Sequence, residues 1–466
     1  EVISTKVSGR SNGFGFSSPQ IISFYENIIS LGSGLNPRGF ISPISDNALN
    51  FYKYKFEGTF FEFGKEISRI KVIPKRAYEP LFTGYIHITE NDWHIQSIDV
   101  KLLRDQQMQL LDSLVLQQQY VPTGPYWVIK QQVIYPYGKF FGFDFFGSFL
   151  QVYDKFDLTP NFKPKYFNST VLKFYDSSNK KLMAYWDSIR PLPLSVEEIK
   201  DYRKKDSLEK VRESPAYLDS LDKIRNKFSL TNLLLTGKSF SKRKAKTSFT
   251  IEPLINTLNF NAVEGGVINL SPQWRKQYDG RKSLSIIPEL RYGFANKHFN
   301  PSLSVNYTFG KKYIQSFSIS GGKKVFQFNN AAPISEFINS YYTLMREQNF
   351  MKIYEADFFR LNYNAGIGNG LNFSGAIQFQ NRKSLENLAD IAFWKDFPNR
   401  SFSPNHPAEL GTAPMQNHQA FLLSAGISWL PGAKYIEYPD RKVNIGTGYP
   451  TCTFTVTKAF EGILGA

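Results

Sequence analysis

The chain has 466 residues, which is too long for one ordinary soluble domain and predicts two or more structural units. Its formal charge is +16 at pH 7, but the basic residues form no recognisable nucleic-acid-binding motif, so we expect no nucleic-acid partner. No run of 18 apolar residues occurs, which excludes a transmembrane helix, and the single cysteine, Cys452, excludes a disulfide framework.

Residues 1–190 are predicted to form a separate, mainly β domain. Short segments rich in β-branched and aromatic residues alternate there with turn residues, a pattern typical of an antiparallel meander. The predicted strands are Tyr54–Phe60, Ile67–Pro74, Thr83–Thr89, His94–Leu103 and Tyr126–Tyr135. The lengths and spacing of these strands are like those of a lipoprotein-carrier half-barrel, which holds an acyl chain in its concave face. A sheet without a ligand is the alternative interpretation.

Residues 191–245 are predicted to form a helical and basic connector. Ser195 stands at a favourable N-cap position, and the acidic pair that follows it suits the first turn of a helix. Pro215 should interrupt this helix, and a second helix is expected over Ala216–Phe228.

A basic cluster ends this connector, just before the first predicted membrane strand. Its members are Lys242, Arg243, Lys244 and Lys246. Positive charge in that position is suited to contact with anionic lipid head groups. A solvated charge run is the alternative interpretation.

From Lys246 to Ala466 the main feature is an alternation with a period of two. In Leu303–Gly310 every odd position is large and apolar, and every even position is small or polar. Successive side chains of a strand point to opposite faces, so each such segment has one apolar and one polar face. The predicted strands are 246–256, 258–270, 284–294, 301–309, 313–328, 356–367, 371–381, 418–429 and 450–460.

Consecutive segments of about ten residues with this alternation are typical of a transmembrane antiparallel β-barrel, apolar toward lipid and polar toward the lumen. An aromatic content of 16% suits aromatic girdles at the membrane interfaces. The strands of a soluble β-sandwich also alternate between apolar and polar residues, but their solvent-exposed face would carry Lys and Glu rather than Ser, Thr, Asn and Gln. Nine strands is an odd number, whereas bacterial single-chain barrels have even numbers, so we expect the barrel to be incomplete, with a further strand beyond Ala466.

Connection lengths predict the orientation of this barrel. Gly310–Lys312 and Gly368–Gly370 are tight turns, whereas 329–355 and 382–417 are long links at the opposite ends of the strands. Outer-membrane barrels keep short turns on the periplasmic side and long loops outside. We therefore expect an outer-membrane location with residues 1–190 in the periplasm, and outer-membrane lipid as a partner.

The sequence shows no metal-binding pair at helical spacing, no phosphate-binding loop and no nucleophile elbow, so we expect no catalytic residue, metal or cofactor. His406 and His418 lie in or beside the link 382–417 with Asp390 and Asp396. An outer-membrane hydrolase would place its acid and base in such a link. Nothing in the sequence identifies a nucleophile there, so a hydrolase is the alternative hypothesis.

The connection Tyr435–Gly446 is the candidate interaction site. It falls on the predicted periplasmic side, where connections are usually short, and long ordered connections are usually functional. Its charged and aromatic residues, a mix common at protein interfaces, are Tyr435, Tyr438, Asp440, Arg441 and Lys442. We expect it to pack against the periplasmic domain or another envelope protein; the alternative is a long turn held by its own Asp–Arg pair.

Several stretches resemble a large family of uncharacterised outer-membrane proteins. They are Ile70–Arg76, Phe82–Ile86, Trp93–Ile95, Phe260–Gly266, Asn349–Glu355 and Tyr438–Gly446. The similarity extends over essentially the whole chain, although the N-terminal carboxypeptidase-regulatory-like domain usual in that family is absent from these 466 residues. The resemblance implies an outer-membrane barrel with a periplasmic domain, and it supplies no activity, substrate or catalytic residue.

Together these features predict an outer-membrane β-barrel that acts as a transport or envelope-assembly component within a larger complex of envelope proteins. The second hypothesis is an outer-membrane hydrolase with its site in the extracellular loops. A receptor with a plug domain is disfavoured because residues 191–236 are too few to form a plug.

Overall fold

The computed structural model describes residues 2–7, 9, 21–32, 34–140, 142–189, 194–391, 393, 401–407, 409, 411 and 415–465. The chain divides into two compact units. The meander unit comprises Phe16–Pro164 and Ile189–Pro193, and the large-sheet unit comprises Glu1–Gly15, Lys165–Ser188 and Leu194–Ala466. In the described residues no helix combines the length and apolarity needed to cross a membrane.

The meander unit is built on one antiparallel sheet. Its elements are β1 (Ile28–Ile29), β2 (Phe40–Ile41), α1 (Ala48–Phe51), β3 (Tyr52–Glu62), β4 (Lys65–Pro74), β5 (Thr83–Thr89), β6 (Ile95–Leu103), the 3-10 turn Arg104–Gln106, β7 (Ser113–Thr123), β8 (Tyr126–Phe140), β9 (Phe143–Phe146) and β10 (Phe149–Val152). Strands β3 to β8 pair in chain order, and β9 and β10 both pair with β8. The predicted antiparallel meander is confirmed.

Strand β7 was not predicted from the sequence. Its glutamine run interrupts the apolar alternation, yet Gln118 lies on the core side and is 3% exposed. The Gln118 amide donates to the Ile22 carbonyl at 2.6 Å and to Oε1 of Gln132 at 2.6 Å. A buried polar side chain with these partners costs little, so the strand forms despite its composition.

One face of the meander packs against the N-terminal segment of the same unit. The ring centroids of Phe24 and Phe40 lie 5.4 and 5.9 Å from that of Phe82. The Tyr52 hydroxyl donates to the Ile41 carbonyl at 2.6 Å and accepts the Phe82 N–H at 3.0 Å. The apolar face of this sheet is therefore occupied by the unit's own side chains.

After the meander the chain forms β11 (Thr170–Lys173), α2 (Met183–Ile189), α3 (Val196–Glu213), α4 (Pro215–Arg225) and α5 (Leu230–Leu235). The Ser195 hydroxyl accepts the Glu198 N–H at 3.2 Å, and the Glu198 carboxylate accepts the Ser195 N–H at 2.8 Å. This reciprocal cap confirms the predicted start of α3. Pro215 is the first residue of α4, so the predicted interruption is also confirmed.

The large sheet has twelve strands in antiparallel pairs. The elements of this part of the chain are β12 (Lys238–Lys242), β13 (Thr247–Ile251), α6 (Leu254–Thr257), β14 (Leu258–Asn261), β15 (Gly265–Leu270), β16 (Gln273–Gln277), β17 (Ser283–Gly293), β18 (Phe299–Phe309), β19 (Gln315–Gln327), α7 (Glu336–Arg346), β20 (Ile353–Gly368), β21 (Leu371–Ser384), β22 (His418–Trp429), β23 (Lys434–Glu437), β24 (Lys442–Gly446), β25 (Cys452–Phe460) and the 3-10 turn Ile463–Gly465. The sheet runs from β12 to β25 without β23 and β24, and β14 joins it through β15. The chain is mainly β with antiparallel sheets, as predicted.

Register aligns the apolar positions of neighbouring strands in the large sheet. One apolar row consists of Val305, Ile319, Leu361, Ile377 and Leu423. The adjacent row, on the other face, consists of Asn306, Ser318, Asn362, Ala376 and Ser424. The two-faced pattern seen along each strand therefore continues across the strands.

The predicted strand 258–270 is wrong, because the chain turns back within it. The Asn261 side-chain oxygen accepts the N–H groups of Val263 and Glu264 at 2.9 and 2.8 Å, which closes an Asx turn. Gly265 follows with a φ of 68°, a left-handed conformation that suits glycine. As a result β14 and β15 pair with each other.

Candidate functional site at the two ends of the large sheet

The two longest connections of the large sheet lie at the same end of it. Short turns follow β12, β16, β18 and β20, whereas the long connections follow β19 and β21. We call the end with the long connections the cap. We define the cap as residues 258–266, 291, 335–355, 385–389 and 401–405, all of which the structure describes.

The centre of the cap is the buried Arg291 of β17. Its guanidinium forms two bonds with Glu264, from Nε to Oε1 at 3.0 Å and from Nη2 to Oε2 at 2.6 Å, and Nη1 donates to Oε1 of Glu336 at 2.7 Å. The Arg291 side chain is 4% exposed and the Glu264 side chain 0%. The amides of Asn261 and Asn259 donate to Glu264 and Glu336 at 2.9 and 2.6 Å. Each buried charge is thus both paired and hydrogen-bonded, which compensates its desolvation.

Asn339 joins helix α7 to the start of β20. Its side-chain oxygen accepts the N–H groups of Phe350 and Met351 at 3.0 and 2.9 Å, and its amide donates to Oδ1 of Asn349 at 2.8 Å. Both asparagines are buried. The position of the helix is therefore fixed by a connected set of buried polar contacts.

Asn405 holds the connection between β21 and β22 against β20. Its side chain accepts the Ile353 N–H at 2.9 Å and donates to the carbonyls of Ile353 and Leu385 at 2.7 and 2.8 Å. Nearby, Lys352 Nζ donates to the Ser403 hydroxyl at 2.6 Å, and burial lowers the pKa of Lys352.

Glu355, at the beginning of β20, is a second buried carboxylate with cationic and imidazole partners. Its Oε1 lies 2.9 Å from Lys323 Nζ, and its Oε2 lies 2.8 Å from His298 Nδ1. The Glu355 side chain is 2% exposed. These contacts join the beginning of β20 to β19 and to the turn between β17 and β18.

Two of the stretches that carry the family resemblance meet in the cap. The motif residues with buried polar contacts are Asn261, Glu264, Asn349 and Glu355. Sequence reasoning gave these stretches no role, and it missed Arg291, Asn339 and Asn405 altogether. The partners of Arg291 and Asn405 lie 20 to 52 positions away along the chain, so periodicity carries no signal for these two residues.

The polar face of the large sheet forms a groove of about 560 Å³. Hydroxyl, amide and small side chains of β19 to β22 and β25 line it, and Arg360 contributes a positive charge. Arg360 Nε donates to Oδ1 of Asn362 at 2.9 Å, and the hydroxyls of Ser424 and Thr457 are 2.8 Å apart. Such a lining can hydrogen-bond water and polar solutes.

The five predicted interaction residues are brought together in the β23–β24 hairpin, at the short-turn end. Tyr435 is 5% exposed, and its hydroxyl accepts the Gly370 N–H at 2.6 Å. Its ring lies edge-on to Tyr313, with centroids 6.5 Å apart. Tyr435 therefore fixes the hairpin onto the turns that follow β18 and β20.

The tip of the hairpin forms an aromatic and cationic stack. The Tyr438 ring is stacked on Phe174 with centroids 4.9 Å apart, and the Arg441 guanidinium lies 4.7 Å from the Tyr438 centroid. Arg441 Nη1 also lies 3.2 Å from Oδ2 of Asp440, and both side chains are partly exposed. This is the Asp–Arg pair expected of a self-contained turn.

Glu437 connects the hairpin to the turn after β18. Its carboxylate oxygens lie 3.1 Å from Lys312 Nζ and 3.1 Å from Lys442 Nζ. Burial opposes ionisation of Glu437, but the hydrogen bonds and charges of the two lysines outweigh it and lower its pKa. Burial also opposes the charge on Lys442 and by itself would lower its pKa. The hydrogen bond to Glu437 outweighs this effect, so the pKa of Lys442 is raised.

The hairpin also extends a small sheet within the large-sheet unit. Strand β11 lies parallel to β23, and the Phe174 N–H donates to the Glu437 carbonyl at 2.8 Å. Residues 165–188, predicted to belong to the first domain, are grouped with the large sheet in the structure.

The basic cluster forms the turn between β12 and β13, also at the short-turn end. Lys242 and Lys244 are exposed. The Arg243 N–H donates to Oδ2 of Asp222 at 2.8 Å, and Lys246 pairs with Asp279. Two members of the predicted lipid contact thus have acidic partners within the chain.

The histidines of the hydrolase hypothesis contact main-chain carbonyls. His406 Nε2 lies 3.0 Å from the Gly411 oxygen; His418 Nδ1 lies 2.9 Å from the Gln416 oxygen. Asp396 lies outside the described residues. Within the described part of the chain, no group of three His, Cys, Asp or Glu residues is placed to hold a metal ion.

Comparison with known sequences identifies two matching regions. Residues 1–156 match a family of unknown function (DUF5686), and residues 231–466 match the C-terminal domain of that family. A search of curated proteins and a search of solved structures each gave no match. The second region alone spans half of the chain. The chain therefore belongs to the DUF5686 family of proteins of unknown function.

Proposed function

We propose that this protein is an outer-membrane β-barrel that carries polar solutes or assists envelope assembly, together with other envelope proteins. The observation that carries the proposal is the apolar face that extends without interruption across β18 to β22. The opposite face of the same strands carries mainly Ser, Thr, Asn and Gln, together with Arg360.

The exposure of this apolar face supports a lipid environment. Leu303 is 46% exposed, Trp429 47% and Phe454 69%. Burying one such side chain in an apolar medium is worth about 1.5–3 kcal/mol, so a face of this extent in water would be costly. Large exposed apolar patches mark interaction or membrane surfaces.

A row of aromatic side chains across the sheet supports the proposal that a membrane–water interface lies at the level of this row. Its members are Phe359, Phe379, Phe421 and Phe460, which lie opposite one another in β20, β21, β22 and β25. Aromatic girdles of this kind border the apolar band of outer-membrane barrels.

The polar groove supports the transport of solutes more directly than it supports a role in envelope assembly. Its lining offers donors and acceptors, and Arg360 gives it a positive charge. A groove of this composition favours neutral polar or anionic solutes over cations. We therefore place transport ahead of assembly.

A matched pair of substitutions tests the membrane-facing assignment. Val305 and Asn306 are neighbours in β18 on opposite faces. Val305→Arg should reduce the free energy of unfolding by about 2–4 kcal/mol if the residue lies near the bilayer midplane, because it places a charge in lipid. Asn306→Arg should cost far less. Urea unfolding of the chain refolded into lipid vesicles measures both, and equal losses would contradict the assignment.

Two measurements separate transport from assembly. Vesicles that contain the purified chain should admit small sugars or anions faster than empty vesicles, and Arg360→Glu should reduce the anion flux. Stable co-purification of other envelope proteins, without any increase in permeability, would favour assembly instead. Recovery of the chain outside the outer-membrane fraction of cells would overturn both the transport proposal and the assembly proposal.

A further inference from the structure

The hairpin formed by the end of β8 and by β9 carries exposed aromatic side chains. We define the aromatic ribbon as residues 137–140 and 142–146. Phe143 is 78% exposed, Phe145 41% and Phe146 85%. Aromatic residues exposed to this degree, and side by side, point to a contact that buries them.

The aromatic ribbon extends past the end of strand β7, and the Leu110 carbonyl lies beside it at Gly138. Strand β7 pairs with β8 only as far as Tyr137, opposite Ser113. Beyond it, Gly138–Phe140 pair with β9 alone, in three residue pairs. At about 3.4 Å per residue, the ribbon extends about 10 Å beyond its neighbour.

Both faces of the ribbon carry aromatic rings, and the face of Tyr137 and Phe146 also carries Lys139 and Asp144. Tyr137 lies opposite Phe146 on one face, and Phe145 lies opposite Gly138 on the other. Phe143 shares the face of Phe145, because alternate residues of a strand point the same way. The Phe145 ring fills the space over Gly138, where an added Cβ would come within 2.8 Å of it.

The ribbon carries no net charge. Its two charged residues are Lys139 and Asp144. They lie directly opposite each other, with Nζ 3.6 Å from Oδ1. The electrostatic field of a paired lysine and aspartate is weak, so the pair attracts a charged protein surface little. Moving the pair toward lipid also costs less desolvation free energy than moving either charge alone.

We propose that the aromatic ribbon inserts into the interfacial region of a phospholipid bilayer. A protein partner or a second copy of this chain would cover one face and leave the rings of the other in water, whereas lipid surrounds both faces. Aromatic side chains favour the membrane–water interface. Interfacial anchors bury about 5–10 Å, which matches the length that projects.

Fluorescent probes on the full chain test this insertion. Cys452→Ala removes the single cysteine, and Phe143→Cys or Phe146→Cys then carries an environment-sensitive label on one face or the other. Leu49→Cys, a site 72% exposed in α1 of the same unit, is the matched control. The labelled chains are reconstituted in vesicles of phosphatidylethanolamine and phosphatidylglycerol, with or without nitroxide-bearing lipid.

We expect the emission of both ribbon probes to shift to the blue and to be quenched by the nitroxide lipid, while the probe at residue 49 is not. Ribbon probes that behave like the control, or quenching on one face alone, would overturn the proposal. So would a blue shift that appears without lipid and grows with protein concentration, since it would identify a second copy as the partner. Resistance of the same samples to alkaline extraction reports on barrel insertion separately, so the two proposals can fail independently.

Discussion

Arg291 shows how one side chain can determine the shape of the cap. It joins β17 to the β14–β15 turn through Glu264 and to α7 through Glu336. Glu264 is fully buried, so without its cation the carboxylate would keep mainly amide partners in a medium of low dielectric. The cap should therefore depend on Arg291 far more than its single charge suggests.

Arg291→Met should lower the free energy of unfolding by about 3–5 kcal/mol, because it leaves a buried charge without compensation. Urea unfolding of the refolded chain, followed by tryptophan fluorescence, measures the loss. Arg360→Met is the matched control, since Arg360 is exposed in the same sheet and donates to Asn362. Substitutions at such surface sites usually change stability by about 0.5 kcal/mol or less. Similar losses for both variants would show that the Arg291 contacts do not support the cap.

At the scale of single elements, the β23–β24 hairpin is held mainly by side chains of strand β23. Tyr435 and Glu437 fix it to the neighbouring turns, whereas Asp440 and Arg441 form a partly exposed pair at its tip. Surface pairs of this kind contribute about 0–1 kcal/mol. Strand β23 is therefore where a change should loosen the hairpin.

The lowered pKa of Glu437 predicts a pH dependence for the hairpin. A carboxyl group whose pKa is lower in the folded state stabilises fully above its unfolded value of 4.5, and this stabilisation is lost as the pH falls through the folded pKa. Hydrogen exchange of the β23–β24 amides, corrected for intrinsic rates, should therefore become faster below pH 4.5.

Two variants serve as controls for this experiment. Glu437→Gln should exchange faster at neutral pH and show no further change on acidification. The double variant Asp440→Ala, Arg441→Ala should keep the pH dependence of the natural chain. If the double variant loosens the hairpin as much as Glu437→Gln does, the Asp440–Arg441 pair at the tip, and not strand β23 alone, holds it.

Strand positions could be read from the sequence where burial follows a simple period. The long strands β17 to β22 and β25 were found within a few residues, because apolar and polar positions alternate throughout them. Strand β7 was missed since Gln118 is buried with polar partners. Helix α7 was missed because buried asparagine and threonine occupy the face that a helical pattern would make apolar. The cap itself could not be predicted, since contacts such as Arg291 with Glu264 and Asn259 with Glu336 join residues 27 and 77 positions apart.

At the scale of the whole molecule, the main prediction still to be tested is the orientation of the large sheet relative to the outer membrane. Extracellular long connections and a periplasmic meander unit follow if the chain spans the outer membrane as proposed. Asn405, in the connection between β21 and β22, is 7% exposed and is therefore a poor site for labelling from solution. Ser401 is exposed in the same connection and is a suitable site.

Labelling of intact cells with a membrane-impermeant thiol reagent tests this orientation. In a Cys452→Ala background, Ser401→Cys should be labelled, because it lies in a long connection. Asn91→Cys, in an exposed turn of the meander unit, should react only after the outer membrane is permeabilised. Labelling at residue 91 from outside would invert the topology, and protection at both sites would place the long connections away from the cell surface.

The buried contacts of the cap also set the order in which this chain can fold. Asn259 meets Glu336 across 77 positions, and Ile353 meets Asn405 across 52. Contacts of such high sequence separation form only after the intervening chain has been brought together, and closing those long loops costs entropy that local turns do not. The hairpin turns can therefore nucleate early, while the cap closes later. Protease attack on the connection between β21 and β22 would distinguish molecules whose cap has closed from those whose cap is still open.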